Sequence, residues 1–187
     1  MTDRVTGPRL TGRLLVAAPA LGDPNFARTV VLLLDQTDDG ALGVVINRPT
    51  LVEVGSVLPS WQPFTNQPGV LFQGGPVALD SALGLAVVPG DDEPVGWRRV
   101  VDHLGLVDLD TPPEILGVDR LRIFAGYAGW GPGQLENEMA EGAWYVVGMQ
   151  GDDAFTDHPD QLWRDVLRRQ GGDLALMSTY PEDPSLN

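Results

Sequence analysis

Three carboxylates, Glu136, Glu138 and Glu141, lie close together in the stretch "GYAGWGPGQLENEMAEGAW", Gly126 to Trp144. On a helix, Glu138 and Glu141 are one turn apart, a spacing that could hold a divalent ion or activate a water. Glu136 follows the glycine-rich turn directly. That turn would open a helix whose first N–H groups are unpaired and can hold an anion. Two features oppose a phosphate there. The stretch matches neither G-x-G-x-x-G nor G-x-x-x-x-G-K-[ST]. Glu136 and Glu138 would already complement the helix dipole and repel a phosphate. The plainer alternative is a crowded turn followed by a solvated acidic face. "QGGPV", Gln73 to Val77, offers a second run of backbone N–H groups and has the same plain alternative, a tight turn before a buried strand.

The composition removes other chemistries. The chain has no Cys, and all 12 basic residues are Arg. Thiolate nucleophiles, Cys-ligated metals, Schiff-base lysines and the P-loop lysine are therefore excluded. His103 and His158 are the two histidines, too few for a zinc site without carboxylate help. Asp102 neighbours His103, but strand neighbours point to opposite faces and form no relay. There is no G-x-S-x-G elbow, and the acidic runs "GDDE" and "GDDAFTDHPD" miss the EF-hand spacing. No metal and no cofactor are assigned. The net charge of −14 repels nucleic-acid backbones and anionic membranes. Arg164, Arg168 and Arg169 cluster, and read as a solvated helix face. The longest strongly apolar run, Val30 to Leu34, is too short to span a bilayer, and "RLLVAAPALG" reads as a first strand, not a leader. Together these features predict a cytoplasmic protein.

A second group of polar residues lies on the elements themselves. "RTVVLLLDQ" and "ALGVVINRP" read as strands joined by an Asp-Gly turn, a strong hairpin signal. Both are apolar on both faces, which predicts a central, doubly covered hairpin. Asn25 and Arg28 then precede one strand, while Asn47 and Arg48 leave the other, at the same end of the hairpin. This predicts a polar cleft edge opposite the Glu136 helix, with Tyr127 and Trp130 as its apolar floor and Gln134 beside it. The structural alternative is an ion-pair and capping network.

Strands are also expected over Gly12–Pro19, "VLFQGGPV", "ALGLAVVPG", "HLGLVDLD", "RLRIFAGYAG" and "AWYVVG". "TLVEVGSVL" reads as a short helix and residues 59–69 as a proline-rich loop. Pro132 suits a first helical turn, Gln134 a reciprocal capping contact, and Gly142 the helix end. A second helix over Pro159–Arg169 would turn Leu162, Trp163, Val166 and Leu167 inward. One domain over residues 1–187 is expected, with a flexible N-terminus over residues 1–11.

With these blocks in place, "LLVAAPALGDPNFARTVVLLLDQTDDGALGVVINRPT", "LFQGGPV" and "GYAGWGPGQLENEMAEGAW" together resemble the AlgH/YqgE family of bacterial proteins. The C-terminal "LWRDVLRRQGGDLALMSTYPEDPSLN" fits as well. The resemblance implies an α+β fold. It is an α/β sandwich with a bifurcated, mostly antiparallel sheet that includes a small closed barrel, flanked by helices. It also carries a transcriptional-regulator label. The chain departs from it at Gln36, where family members commonly have His, which weighs against a histidine mechanism at the hairpin. The function expected is an interaction or regulatory module that binds a protein or small ligand and catalyses no reaction alone. A hydrolase using Glu136 or Glu138 is the alternative. Direct DNA binding comes third because of the charge.

Overall fold

The structure is a computed structural model and describes residues 9–183. Ten strands form one sheet: β1 (Leu14–Ala17), β2 (Val30–Thr37), β3 (Gly40–Val45), β4 (Pro49–Glu53), β5 (Val70–Gln73), β6 (Val77–Val87), β7 (Trp97–Val101), β8 (Leu104–Val107), β9 (Arg120–Trp130) and β10 (Trp144–Val147). The helices are α1 (Gln134–Ala140), α2 (Leu162–Gln170) and α3 (Gly172–Met177). The main order is β10-β1-β2-β3-β9-β6-β8-β7, with β5 pairing β9 and β4 pairing β5. All ladders are antiparallel except β5–β9. β9 forks the sheet. Its first part pairs β6 and β5, and its end pairs β3. The expected α+β fold with a bifurcated, mostly antiparallel sheet is thus the fold adopted. Its curled part is a half-barrel with β4 and β7 at its two ends.

The β2–β3 hairpin closes at Thr37–Gly40 and sits mid-sheet, as its unbroken apolar runs require. Alternate side chains feed opposite faces. Leu14, Val16, Val30, Leu32, Val44 and Ile46 pack under α2 and the 153–155 turn. Leu15, Ala17, Val31, Leu33 and Val45 pack on the other face under α1. On that same side, further along, Trp61, Ala86, Trp97, Leu121 and Ile123 fill the half-barrel. α2 buries Leu162, Trp163, Val166 and Leu167, the stripe expected from a period of 3.6.

Two local readings are corrected. Residues 50–58 are not a helix: β4 runs to Glu53 and a 3-10 turn follows over Val54–Ser56. The β-branched residues of "TLVEV" favour the strand, and β5 supplies its partner. Residues 59–64 are a 3-10 helix that buries Trp61, not an irregular loop. Residues 1–8 of the expected flexible N-terminus lie outside the described residues. Leu10 is described and is buried against α1's face of the sheet. No helix among the described residues is long and apolar enough to cross a membrane.

Candidate functional site

The stretch from Gly126 to Trp144 holds the strand, turn and helix that carry the candidate carboxylates. Gly126 has φ +74, and a Cβ there would meet the Gly75 carbonyl at 2.6 Å. This left-handed residue breaks the alternation of β9. Phe124 and Tyr127 pack on the α2 side, whereas Ala128 and Trp130 pack under α1. Tyr127 and Trp130 therefore lie on opposite faces of the sheet and cannot floor one cleft. Gly133, φ +73, caps α1, and the Gly131 N–H donates to Gln134 Oε1 at 3.0 Å, the expected back-contact. Gly129 and Gly131, in contrast, are not left-handed, and a Cβ at each would make one ordinary contact, at 3.7 Å with Tyr127 Cε2 and at 3.9 Å with Gln134 Oε1.

Trp130 is only 6% exposed. Its indole stacks near Phe26 at 6.1 Å and meets Trp144 edge-on at 6.0 Å. Trp130 Nε1 and Trp144 Nε1 both donate to Glu138 Oε2, each at 2.8 Å, and Gln134 Nε2 donates to Oε1 at 3.1 Å. Glu138 is thus a structural clasp between β9, α1 and β10, the wrong setting for a catalytic base or metal ligand. Glu136 Oε1 accepts from Gln36 Nε2 at 3.2 Å, and Gln36 Oε1 accepts from the Leu10 N–H at 3.0 Å. Gln36 therefore ties the N-terminal stretch to α1. Among the described residues, no three His, Asp or Glu side chains gather into a metal-holding group. His103 contacts the Gly90 carbonyl and His158 stands beside Asp157, so they share no site. Glu138→Gln keeps the shape but loses one acceptor for the paired indoles. It is expected to cost about 1.5–3 kcal/mol, the scale of hydrogen bonds to a charged group, in urea unfolding.

The second polar group assembles as expected, but elsewhere. Asn47 continues the hairpin ladder with its side chain: Oδ1 accepts from the Val30 N–H at 3.0 Å and Nδ2 donates to the Arg28 carbonyl at 2.9 Å. That contact holds Arg28 at φ +57, a conformation uncommon outside glycine. Arg48 donates to the carbonyls of Pro24, Asn25 and Ala27, pinning the loop before β2. Asn25 takes part through its backbone, its N–H donating to Asp23 Oδ1 at 2.8 Å. The Glu136–Gln36 contact lies at the other end of β2, roughly 20 Å away at about 3.3 Å per residue. The expected juxtaposition with Glu136 and Gln134 is therefore corrected.

The aromatic floor is Trp163. The Arg28 guanidinium lies 4.4 Å from its ring centroid and that of Arg164 lies at 6.0 Å. The indole is fixed by donating to the Ala17 carbonyl at 2.9 Å. Arg28 donates to the carbonyls of Tyr180 and Pro181, and Arg164 to that of Ser178. Arg28, Asn47, Arg48, Trp163, Arg164 and Glu182 line a cleft of about 220 Å³. A larger groove of about 870 Å³ adjoins it on the far side of Arg28, against Leu21 and Tyr180. Burial lowers the pKa of Arg28; the charge of Arg164 adds to this and Glu182 opposes it. Burial also lowers that of Arg48, against the pull of Asp23. Neighbouring guanidiniums, partly desolvated, make a place where an added anion is favourable.

The solvated-face reading of the α2 arginines holds for Arg168 alone. Arg164 reaches into the cleft, and Arg169 forms a two-pronged ion pair with buried Asp153 at 2.6 Å. Arg122 was missed. It is 1% exposed, stacks 4.3 Å from the Phe72 centroid and donates to three backbone carbonyls. An Arg flanked on both sides by apolar residues, Leu121 and Ile123, was its one signal. A separate apolar cleft of about 280 Å³ lies beside Val101, Leu104, Met149 and Phe155, with Arg120 bound to Asp152 at its rim.

Comparison with known proteins places this geometry in a family. The AlgH-like family model matches residues 14–175. A UPF0301 protein of Streptomyces coelicolor is 64% identical over 184 residues, covering 95% of each chain. A UPF0301 protein of Mycobacterium bovis is 44% identical over 181 residues, covering 94% of this chain and 90% of the relative. The crystal structure of a Corynebacterium diphtheriae protein superposes with a TM-score of 0.88 at 35% identity, covering 93% of this chain and 94% of that one. The solution structure of the AlgH protein from Pseudomonas aeruginosa superposes with a TM-score of 0.70 at 28% identity, covering 96% and 98%. Matched in sequence and in fold over nearly its whole length, this chain belongs to the AlgH-like, UPF0301 family.

Proposed function

We propose that this chain is a cytoplasmic interaction module that receives an anionic group of a protein or small-molecule partner in the Arg28–Arg48–Arg164 cleft. It performs no reaction alone. One observation carries this reading: three of 12 cations, in a chain with 26 acidic residues, line one cleft, and two of them, Arg28 and Arg164, lie over its buried indole. Holding guanidiniums together against burial and mutual repulsion costs free energy, and a bound carboxylate or phosphate offsets it. The hydrolase alternative draws no support from Glu138, whose carboxylate is clasped by two indoles. Direct DNA binding stays third, since a charge of −14 opposes it.

Thermal unfolding with inorganic phosphate or citrate tests the reading. A ligand at roughly ten times its Kd adds about 1.4 kcal/mol by mass action, or about 3–5 °C in Tm for a chain of this size. Arg28→Gln should remove the rise. An equal rise in Arg28→Gln, or none in the wild-type chain up to about 50 mM ligand, contradicts the reading.

A further inference from the structure

The arginine cleft is already touched by the chain itself. After α3 the backbone turns, with the Tyr180 N–H closing the last helix-derived bond onto the Met177 carbonyl. Residues 178–182 then cross the cleft. Arg164 donates to the Ser178 carbonyl at 2.5 Å, and Arg28 donates to the Tyr180 and Pro181 carbonyls at 2.8 and 2.5 Å. Glu182 lines the same cleft as Arg28, Arg48 and Arg164. Tyr180 and Pro181 also line the larger groove beside Pro19, Leu21 and Ala27. Arg28 and Arg164 thus meet backbone carbonyls, and the Glu182 carboxylate acts on Arg28 through its charge from the same cleft. Ser178 anchors the segment, while Thr179, Tyr180 and Glu182 beyond it are exposed, and α3 before it buries no residue fully. Such segments occupy the low end of local stability.

We propose that the cleft docks an acidic peptide segment of a partner protein, and that residues 178–182 hold it in cis as a displaceable competitor. This rests on the anion-binding reading above. A free phosphate would engage the guanidiniums but leave the adjoining groove unused. A peptide offers carbonyl acceptors, a carboxylate and side chains for that groove, as the chain's own segment does. The acidic remainder of the surface repels such a partner, so attraction is confined to this cleft and should weaken with salt.

The test is a titration of the full-length, 15N-labelled chain with a synthetic peptide of residues 178–183, blocked at both ends. The wild-type chain and Glu182→Gln are compared, with inorganic phosphate titrated in parallel. Saturation should shift the Trp163 indole signal and the side-chain signals of Arg28 and Arg164. It should also convert the Thr179, Tyr180 and Glu182 amides to sharp, mobile signals. Glu182→Gln removes the charge of the segment that pulls on Arg28 and should bind the peptide about two- to fivefold more tightly, the scale of one exposed charge–charge attraction. Peptide binding that leaves residues 179–182 in place, or equal affinity in Glu182→Gln, overturns the competitor. Phosphate binding at Trp163 without peptide binding overturns the docking proposal and leaves the anion cleft standing. Binding of neither overturns both.

Discussion

Trp130→Ala is expected to cost about 3–5 kcal/mol of unfolding free energy, and Gly129→Val less than about 1 kcal/mol. From the sequence the opposite order is natural, because Gly129 belongs to a glycine-rich turn and Trp130 suits a binding surface. The structure reverses it. Trp130 is buried among Phe26, Leu135 and Trp144, and its indole is one of two that hold Glu138. Truncation opens a cavity and also weakens the clasp on a carboxylate, two additive losses. Gly129 is an exposed position within β9, and a Cβ there meets only Tyr127 Cε2, at 3.7 Å. A β-branched side chain suits such a strand position. Urea unfolding of both variants checks the order. A smaller loss for Trp130→Ala than for Gly129→Val would make the indole peripheral.

Arg122→Ala is expected to cost a similar amount, about 3–5 kcal/mol. Its guanidinium satisfies the Ala154, Thr156 and Gln67 carbonyls and so ties β9 to the two loops that flank it. Removing it strands three acceptors, one of them in a buried contact and two in part-buried ones, and leaves a void against Phe72. Relief of the buried charge offsets part of this. Burial lowers the Arg122 pKa to about 10, against a weaker upward pull from Asp157. The unfolded chain therefore holds that proton more tightly than the folded one. The penalty is full at neutral pH and fades only as pH rises through about 10. Arg122→Met keeps the packing and drops both the charge and the donors, so it should recover roughly half the loss. If Arg122→Ala unfolds with wild-type stability, the three carbonyls find other donors and the residue is not a tie.

Periodic, locally encoded features were legible in the sequence. The α2 stripe, the β2–β3 hairpin with its Asp-Gly turn, and the gathering of Arg28, Asn47 and Arg48 at one hairpin end all follow from spacing. Features set by partners distant in sequence were not. "DDEPVGWRR", Asp91 to Arg99, reads as a polar loop, and only pairing with β8 makes its last three residues, Trp97 to Arg99, the start of a strand. Tyr127 and Trp130, three apart, read as one apolar floor, whereas β9 continues through Trp130 and places them on opposite faces. The floor of the cleft depended on packing α2 against Arg28, and its lining by Glu182 on a contact across more than 150 residues. No local pattern encodes either. Arg164 was indistinguishable from Arg168 in sequence, since both follow apolar residues on one amphipathic helix.

The most direct test of the cleft is the indole N–H signal of Trp163 during an anion titration, followed by NMR in the wild-type chain and in Arg28→Gln. The buried ring lies 4.4 Å from the Arg28 guanidinium, so an anion drawn to that charge must move its signal. The prediction is a saturable shift at Trp163, accompanied by Arg28 and Arg164 side-chain signals, that disappears in Arg28→Gln while Trp130 and Trp144 stay still. Shifts that leave Trp163 unmoved, or that persist unchanged in Arg28→Gln, would contradict an anion site in this cleft.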